Sequence, residues 1–217
     1  MSYREVLSRI EEAAARSQRS LEEITLVAVS KTRTPDEVMA VYESGHRDFG
    51  ENRAKEMARK AERLPDDIRW HFVGALQSNK TGLVRGRTYL LHSMDRRSLA
   101  SAWVKGPGLP PPVLLQVNIG EEAQKSGVSP SEAGETLGWL AGMGLRVVGL
   151  MTMPPAPERA EDSRRYFGEM KVLRDRLAAR HPELRELSMG MSDDFEVAVE
   201  EGASIIRVGR AIFGPRT

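Results

Sequence analysis

The sequence contains no cysteine among its 217 residues. This absence excludes disulfide bonds, thiolate zinc sites, iron–sulfur clusters and thiol nucleophiles. Aromatic residues are scarce at 6%, and there are four histidines. No cluster of potential metal ligands stands out among so few histidines, so the sequence predicts no metal centre.

Charge of one sign is not in excess, and long apolar runs are lacking. The 32 Lys and Arg residues and the 31 Asp and Glu residues leave a net charge of +1, which offers no polycation for nucleic acid or an anionic membrane. No stretch of about 18 apolar residues could span a bilayer. Residues 1–5 lack the basic and then apolar pattern of a signal peptide. The sequence therefore predicts a soluble, cytoplasmic protein that binds neither nucleic acid nor membrane.

Short apolar segments alternate with longer amphipathic segments along the whole chain. Their length and continuous apolarity predict strands that are covered on both faces, as in a parallel sheet. The predicted strands are residues 24–30, 70–73, 89–91, 113–117, 147–151 and 205–208, with weaker candidates at 48–50 and 186–189. Eight strand–helix units favour an α/β fold, a single-domain (β/α)8 TIM barrel over residues 1–217. A doubly wound open sheet is the alternative, but no G-x-G-x-x-G follows the first strand.

Capping signals mark the starts of several helices. An extra helix is predicted at residues 3–16, before the first strand. Thr34 and Glu37 form a capping box, and Ser129 and Glu132 repeat it. Residues 158–180 predict a further amphipathic helix.

Residues at the C-terminal ends of the strands are the candidates for chemistry, because the active sites of such barrels lie there. Lys31 follows the apolar run of the first strand. Partial desolvation at that position favours the neutral amine, which forms Schiff bases with aldehydes and ketones. The alternative is that Lys31 merely leaves the barrel into solvent.

The ends of the last two strands predict a site for a phosphate group. Gly190 and Gly209 let the backbone approach an anion, and Ser192 offers a hydroxyl. A helix that begins near Asp193 would add free N–H groups. Ser192 is equally suited to be an N-cap, and Gly209 to permit a turn. Arg207 either pairs with a carboxylate or points into the barrel mouth.

Other polar residues have simpler interpretations. Glu51 and Asn52 follow the second strand and supply a carboxylate and an amide to the same face. Both could instead cap a helix, and capping is the favoured interpretation for Glu51. His71 is predicted to lie inside the barrel, bonded to a neighbour. Lys60 belongs with the basic residues at positions 53, 55, 59 and 63, which together indicate a solvated helix face.

A lysine on the first strand and a phosphate site on the last two would together bind an aldehyde that carries a phosphate. Pyridoxal 5′-phosphate (PLP) meets both requirements. A phosphosugar bound by a Schiff-base aldolase meets them equally well, and these residues do not separate the two.

The strand ends resemble those of the pyridoxal phosphate homeostasis protein family. The matching stretches run in family order along nearly the whole chain. They are residues 28–32, 49–52, 70–74, 76–80, 92–96, 117–119, 149–153, 187–193 and 207–214. The resemblance implies the barrel of the alanine racemase N-terminal domain, with PLP as the cofactor.

The resemblance also implies roles for single residues. Lys31 matches the lysine that holds PLP as a Schiff base, Arg207 an arginine near the cofactor, and Asn52 a polar residue that lines the pocket. The phosphate-binding segments match Gly190, Met191, Ser192, Gly209 and Arg210. Residues 53–55 depart from the usual Tyr-Val-Gln of the family, which affects the rim of the pocket and not the lysine.

The function that the resemblance implies is a monomeric PLP carrier or regulator that releases PLP to apo-enzymes. The alternative is a PLP-dependent racemase or lyase of low activity on a small amino acid. A racemase of this fold needs a second base from a separate β-domain. The eight strand–helix units are expected to occupy nearly the whole chain and to leave no residues for such a domain. The carrier is therefore the favoured hypothesis.

Overall fold

Eight parallel strands alternate with helices and close into one barrel in the computed structural model, which describes residues 1–122 and 124–215. Neighbouring strands follow chain order, and the first strand pairs with the last. The ring of pairs leaves no open edge. The predicted (β/α)8 barrel is therefore confirmed, and the open doubly wound sheet is excluded.

The strands lie close to their predicted positions. They are β1 (Thr25–Val29), β2 (Asp48–Glu51), β3 (Arg69–Phe72), β4 (Thr88–Met94), β5 (Val113–Val117), β6 (Val147–Thr152), β7 (Glu186–Ser188) and β8 (Ile205–Val208). The largest difference is at β4, which continues to Met94. Most strand residues are buried, as expected for a sheet that is covered on both faces.

Helices cover the outside of the barrel. They are α1 (Tyr3–Arg16), α2 (Pro35–Glu43), α3 (Ala54–Ala61), α4 (Thr81–Val84), α5 (Arg97–Val104), α6 (Ala133–Gly142), α7 (Arg164–Ala178), α8 (Phe195–Glu200) and α9 (Arg210–Phe213). The extra N-terminal helix is confirmed as α1, which packs on α8 and α9. Within the described ranges, no helix combines the length and the apolarity that crossing a membrane requires.

Side-chain caps explain where α1 and α2 begin. Ser2 accepts a hydrogen bond from the Glu5 N–H, and the Glu5 carboxylate accepts one from the Ser2 N–H. Thr34 and Glu37 form the same reciprocal pair before α2, as predicted. Each pair satisfies two donors that a helix start leaves unbonded.

Two other predicted helix starts differ from the structure. Ser129 and Glu132 do bond to each other, but the Glu132 N–H also donates to the Ser129 carbonyl, and this tighter turn delays α6 until Ala133. The predicted helix over 158–180 begins with a 3-10 turn, Ala160–Ser163, and α7 starts only afterwards.

The interior of the barrel is partly apolar and partly polar. Branched side chains dominate such interiors, and here the apolar part is Val27, Val29, Val73, Leu90, Leu114, Met151 and Ile205. His71, His92 and Arg207 are also buried on inward-facing strand positions. Burial of polar groups costs free energy unless they are hydrogen-bonded, so these three residues point to a function or to a specific network.

Candidate functional site

A cavity of about 720 Å³ opens at the C-terminal ends of the strands, in the volume range of small-molecule sites. It is the end at which the sequence predicts the chemistry. Of the predicted site residues, the cavity is lined by Lys31, Asn52, Met191, Ser192, Arg207, Gly209 and Arg210. Gly190 is not in the lining but immediately precedes Met191 in the same turn.

Lys31 follows β1 by two residues and is half-buried in the cavity wall. The chain turns sharply after it, because Thr32 has a φ of +66°, a left-handed conformation that is rare for a β-branched residue. The Thr32 N–H donates to Glu56 Oε1 at 2.6 Å. This bond fixes the turn that carries Lys31.

Lys60 lies beneath the same turn, almost fully buried at 5% exposure. Its Nζ donates to the Ser30 carbonyl at 2.7 Å, to Glu51 Oε1 at 2.6 Å and to Glu56 Oε1 at 2.9 Å. The interpretation of Lys60 as part of a solvated helix face is therefore wrong. Its buried ammonium ties β1, β2 and α3 together under Lys31.

Glu51 is also completely buried. Its Oε1 accepts from Ser30 Oγ at 2.7 Å, and its Oε2 has no partner among the described residues. Burial raises the pKa of Glu51, and the charge of Lys60 opposes that shift. The interpretation of Glu51 as a helix cap is wrong, because its carboxylate is buried against Lys60 and Ser30 and α3 has no side-chain cap.

Asn52 places a buried acceptor in the cavity. Its Oδ1 is shielded from solvent and has no hydrogen-bond partner within the part of the chain that the structure describes. An acceptor in that state costs free energy. A ligand with a donor at this position would remove the cost, so Asn52 fits the pocket-lining role that the resemblance implies better than a capping role.

The turn after β7 is built on a glycine that cannot be replaced without movement. Gly190 has a φ of +89°, and a Cβ there would lie 2.5 Å from the Cβ of Ala198. The Met191 N–H donates to Asp194 Oδ1 at 2.7 Å, and Ser163 Oγ donates to Asp194 Oδ2 at 2.7 Å. The turn is therefore held at both ends.

Ser192 joins this turn to the start of α9. Its Oγ accepts from the Ala211 N–H at 3.3 Å, whereas the N-cap of α8 is Asp194. The N-cap role predicted for Ser192 is therefore wrong, whereas the predicted helix start near Asp193 is confirmed to within two residues by α8. The Ser192 and Asp193 N–H groups have no backbone acceptor among the described residues. Gly209 faces them, and a Cβ there would come within 3.0 Å of a backbone oxygen of β1.

Arg207 on β8 is a buried cation in the cavity wall. Its Nη1 donates to Ser188 Oγ at 2.6 Å and its Nη2 to the Thr152 carbonyl at 2.8 Å. Burial lowers the pKa of Arg207 to about 10, and the charge of the Asp194 carboxylate opposes that shift. Of the two interpretations of Arg207, the one that points it into the barrel mouth is correct.

Cations outnumber carboxylates around the cavity. The charged residues among its described lining are Lys31, Arg33, Arg207, Arg210 and Asp193. Arg210 pairs with Asp193. Arg33, which no sequence pattern singled out, donates to the carbonyls of Gly214 and Pro215 and brings that segment to the cavity. The surplus of positive charge suits an anionic ligand.

Fold and cavity together define a class of protein. It comprises (β/α)8 barrels with a lysine just beyond the first strand, in one cavity with glycine-containing turns and cations that suit a phosphate. Among the described residues, no group of three or more His, Cys, Asp or Glu side chains is placed to hold a metal ion.

Comparison with known proteins identifies the family within this class. The pyridoxal phosphate homeostasis protein of Aquifex aeolicus is 42% identical, over 97% of this chain and 95% of its own length. Its counterpart in Escherichia coli is 40% identical, over 98% of this chain and 94% of its own. No protein-family model matches the sequence. The chain belongs to the pyridoxal phosphate homeostasis protein family.

Solved structures agree with this assignment. PipY of Synechococcus elongatus, solved with PLP bound, superposes with a TM-score of 0.78 at 33% identity, over 94% of this chain and all of its own. Alanine racemase from Corynebacterium glutamicum gives a TM-score of 0.71 at 17% identity, over 94% of this chain and 60% of its own. The second likeness concerns the fold alone, and it confirms the predicted alanine racemase-like barrel.

Proposed function

We propose that this chain binds PLP in the cavity at the barrel mouth, attaches it reversibly to Lys31 and releases it to apo-enzymes that use it. The carrying observation is that one cavity contains Lys31 together with the turns at 190–194 and 209–210. The PLP-bound structure of PipY and the names of the curated relatives support the proposal.

The phosphate group would be held where the turns after β7 and β8 meet. The Ser192 and Asp193 N–H groups and the Ser192 hydroxyl are the donors there, and Gly209 lets the turn after β8 approach β1 closely at the same cavity. The positive surplus of the cavity adds a favourable charge term. Met191 and Gly190 shape this turn, and Arg210 lies beside it.

The aromatic ring would lie between Asn52 and Arg207. The buried Asn52 Oδ1 lacks a donor, and the phenolic hydroxyl of PLP is one. The Arg207 guanidinium has only donors, so it would leave an acceptor nitrogen on the ring unprotonated. An unprotonated ring withdraws electrons weakly, which favours storage over turnover.

Lys31 supplies the covalent link. Bound PLP supplies an aldehyde that reacts with primary amines. Lys31 Nζ bonds to the aldehyde carbon with loss of one water, and its half-buried position leaves the link within reach of an incoming amine. We place this function in the cytoplasm and in a monomer.

The test is uptake of PLP by purified protein. We expect wild type to gain visible absorbance with PLP, and borohydride to fix the cofactor on the peptide that contains Lys31. Lys31→Ala should lose both signals, while Lys171→Ala, which changes an exposed lysine of α7 away from the cavity, should keep them. A wild type that takes up no PLP would contradict the proposal.

Release and turnover are separated by a second measurement. Loaded protein should restore the activity of an apo-enzyme that needs PLP, and it should not racemise or cleave small amino acids. Amino-acid turnover that disappears in Lys31→Ala would instead favour the alternative of a PLP-dependent racemase or lyase.

A further inference from the structure

A chain of hydrogen bonds crosses the barrel interior from Arg207 to the opposite end. It consists of Arg207, Ser188, His92, His71 and Asp48 and is called the relay here. Arg207 Nη1 and Ser188 Oγ are 2.6 Å apart, Ser188 Oγ and His92 Nδ1 2.8 Å, His92 Nε2 and His71 Nδ1 3.0 Å, and His71 Nε2 and Asp48 Oδ1 3.1 Å.

The two ends of the relay lie in different cavities. Arg207 lines the proposed PLP site at the C-terminal ends of the strands. Asp48 and His71 line a second cavity of about 560 Å³ at the N-terminal ends. His92 and Ser188 are completely buried between them. The relay therefore connects the PLP site to the far side of the barrel.

Chemistry sets the direction of every bond in the relay. Asp48 can only accept, so a neutral His71 donates from Nε2 and accepts at Nδ1. The donor to His71 must then be the Nε2–H of His92, whose Nδ1 accepts from the Ser188 hydroxyl. Arg207 can only donate, and Ser188 accepts from it. Each member thus donates toward Asp48, and both histidines carry their proton on Nε2.

Charge at both ends favours this direction. Burial alone would raise the pKa of Asp48, but hydrogen bonds from Arg69 and His71 outweigh burial and hold that pKa well below its ordinary value. Asp48 is therefore an anion that attracts donors, while Arg207 is a cation at the other end. A buried cation needs well-placed acceptors, and the relay supplies one of them.

We propose that the relay is a positioning device, in which the four residues behind Arg207 hold its guanidinium toward the PLP site and transmit to it a change of protonation at the far end. The effect of the relay on PLP rests on the proposed PLP-binding function. The hydrogen bonds of the relay are present in the protein without ligand.

Adding a proton would reverse the centre of the relay. A doubly protonated His71 donates from Nδ1, so His92 must accept at Nε2 and carry its own proton on Nδ1. Ser188 then receives donors from both His92 and Arg207, and its own hydrogen needs a new acceptor. Burial holds the pKa of His92 well below its ordinary value, and the nearby His71 and Arg207 lower it further, so His92 carries a single proton in both arrangements.

The surroundings of the histidine pair offer few other charges. The ionisable groups that face it are Asp48 of β2 with its partner Arg69 of β3, Tyr89 of β4 against the His71 ring, and Arg207 of β8. The buried His46, which bonds to the Asp48 carbonyl, lies close to the pair, and Arg146 and Glu186 line the far cavity with His71. Asp48 is therefore the charged group in direct hydrogen-bond contact with the far end of the histidine pair.

The first experiment examines histidine tautomers in the protein without PLP, by NMR with 15N-labelled histidine. We expect His71 and His92 both to be Nε2–H at neutral pH. On acidification both tautomers should change at one shared midpoint, because the two rings share one hydrogen bond. A His92 that carries its proton on Nδ1 at neutral pH, or two independent midpoints, would overturn the relay whether or not PLP binds.

The second experiment compares two buried serines. Ser188→Ala removes a relay member, whereas Ser93→Ala removes a buried hydroxyl without a partner among the described residues. We expect Ser188→Ala to weaken PLP binding by about tenfold, as for loss of one hydrogen bond to a buried charge. It should also shift the pH midpoint of the bound absorbance by about half a unit or more.

The controls separate a relay from simple packing. Ser93→Ala should leave affinity and midpoint unchanged, and Ser188→Thr, which restores the hydroxyl, should recover the wild-type midpoint. Equal behaviour of Ser188→Ala and Ser93→Ala in folded proteins would refute the proposal. If Ser188→Ala does not fold, the tautomers and shared midpoint in wild type decide the question, and PLP uptake by wild type separately decides the proposed function.

Discussion

Thr32 holds a left-handed backbone directly after Lys31, a conformation that costs roughly 1–3 kcal/mol in a residue of this kind. The Glu56 carboxylate that accepts the Thr32 N–H is itself held by Lys60, which also bonds to the Ser30 carbonyl. The position of Lys31 therefore depends on a buried lysine that does not line the cavity.

Replacing Lys60 with Met tests this dependence. The change leaves the buried Glu51 without its cation, and removal of one partner of a buried pair costs about 3 kcal/mol. We expect the free energy of unfolding, measured with urea, to fall by that amount. Borohydride trapping of PLP on Lys31 should also slow, because the turn at Thr32 loses its support.

The control for Lys60→Met is Lys55→Met, on the exposed side of α3. It should change the free energy of unfolding by less than about 0.5 kcal/mol. If the two variants unfold alike, Lys60 does not hold the turn. Glu51→Gln combined with Lys60→Met should recover part of the loss, because it removes the unpaired carboxylate.

Single residues were predictable where position alone determines the environment. Lys31 was predicted because it follows a buried strand, and His71 because its position on β3 faces the barrel interior. Lys60 was missed because the basic residues around it, at positions 53, 55, 59 and 63, suggest a solvated helix face. The signal that could have found it is spacing, since Met57, Lys60 and Ala61 share the buried face of α3.

At the scale of elements, the turn between β7 and α8 is the least tolerant part of the site. Gly190→Ala would place a methyl group 2.5 Å from Ala198 at a φ of +89°. We expect a loss of about 1–3 kcal/mol in the free energy of unfolding, measured with urea. PLP affinity should fall as well, because the turn carries Met191 and Ser192.

A second glycine gives the opposite expectation. Gly138 lies inside α6, and no atom lies within 4 Å of the position that an added methyl group would take. Gly138→Ala should therefore stabilise the protein by about 0.5–1 kcal/mol. A loss of stability shared by both variants would mean that the Gly190 effect does not come from its turn.

Elements differ in how far their sequence predicts them. The strands were predicted well because a strand covered on both faces needs a continuous apolar run. Starts of helices were less predictable, because Ser129 and Glu132 satisfy each other in a turn as readily as in a helix. α4 and α9 have four residues each, too few for a helical period to be visible.

At the scale of the whole molecule, closure of the barrel assembles the site. Pairing of β1 with β8 sets Val27 beside Arg207, so the end of β1 with Lys31 comes next to the turn at Gly209. The order of strands predicts this meeting. The relay was not predictable, because its bonds join β2, β3, β4, β7 and β8 and depend on register and tautomer rather than on any local pattern.

Asp48, at the far end of the relay, makes the stability of the barrel depend on pH in the acidic range. The pKa of Asp48 is lower in the folded protein than its ordinary value of 3.8. The carboxylate therefore contributes stability above that value, and the contribution is lost as the pH falls through the window below 3.8. Asp48→Asn does not titrate, so its free energy of unfolding should depend less steeply on pH there.

Urea unfolding of wild type, Asp48→Asn and Asp66→Asn at a series of pH values from neutral to acid would measure this difference. Asp66 is an exposed aspartate, so Asp66→Asn should follow the acid slope of wild type. Asp48→Asn should start from a lower stability at neutral pH, because the Arg69 ion pair is lost, and approach wild type as the pH falls. A variant that remains parallel to wild type throughout would show that Asp48 is not the carboxylate that links the fold to acid.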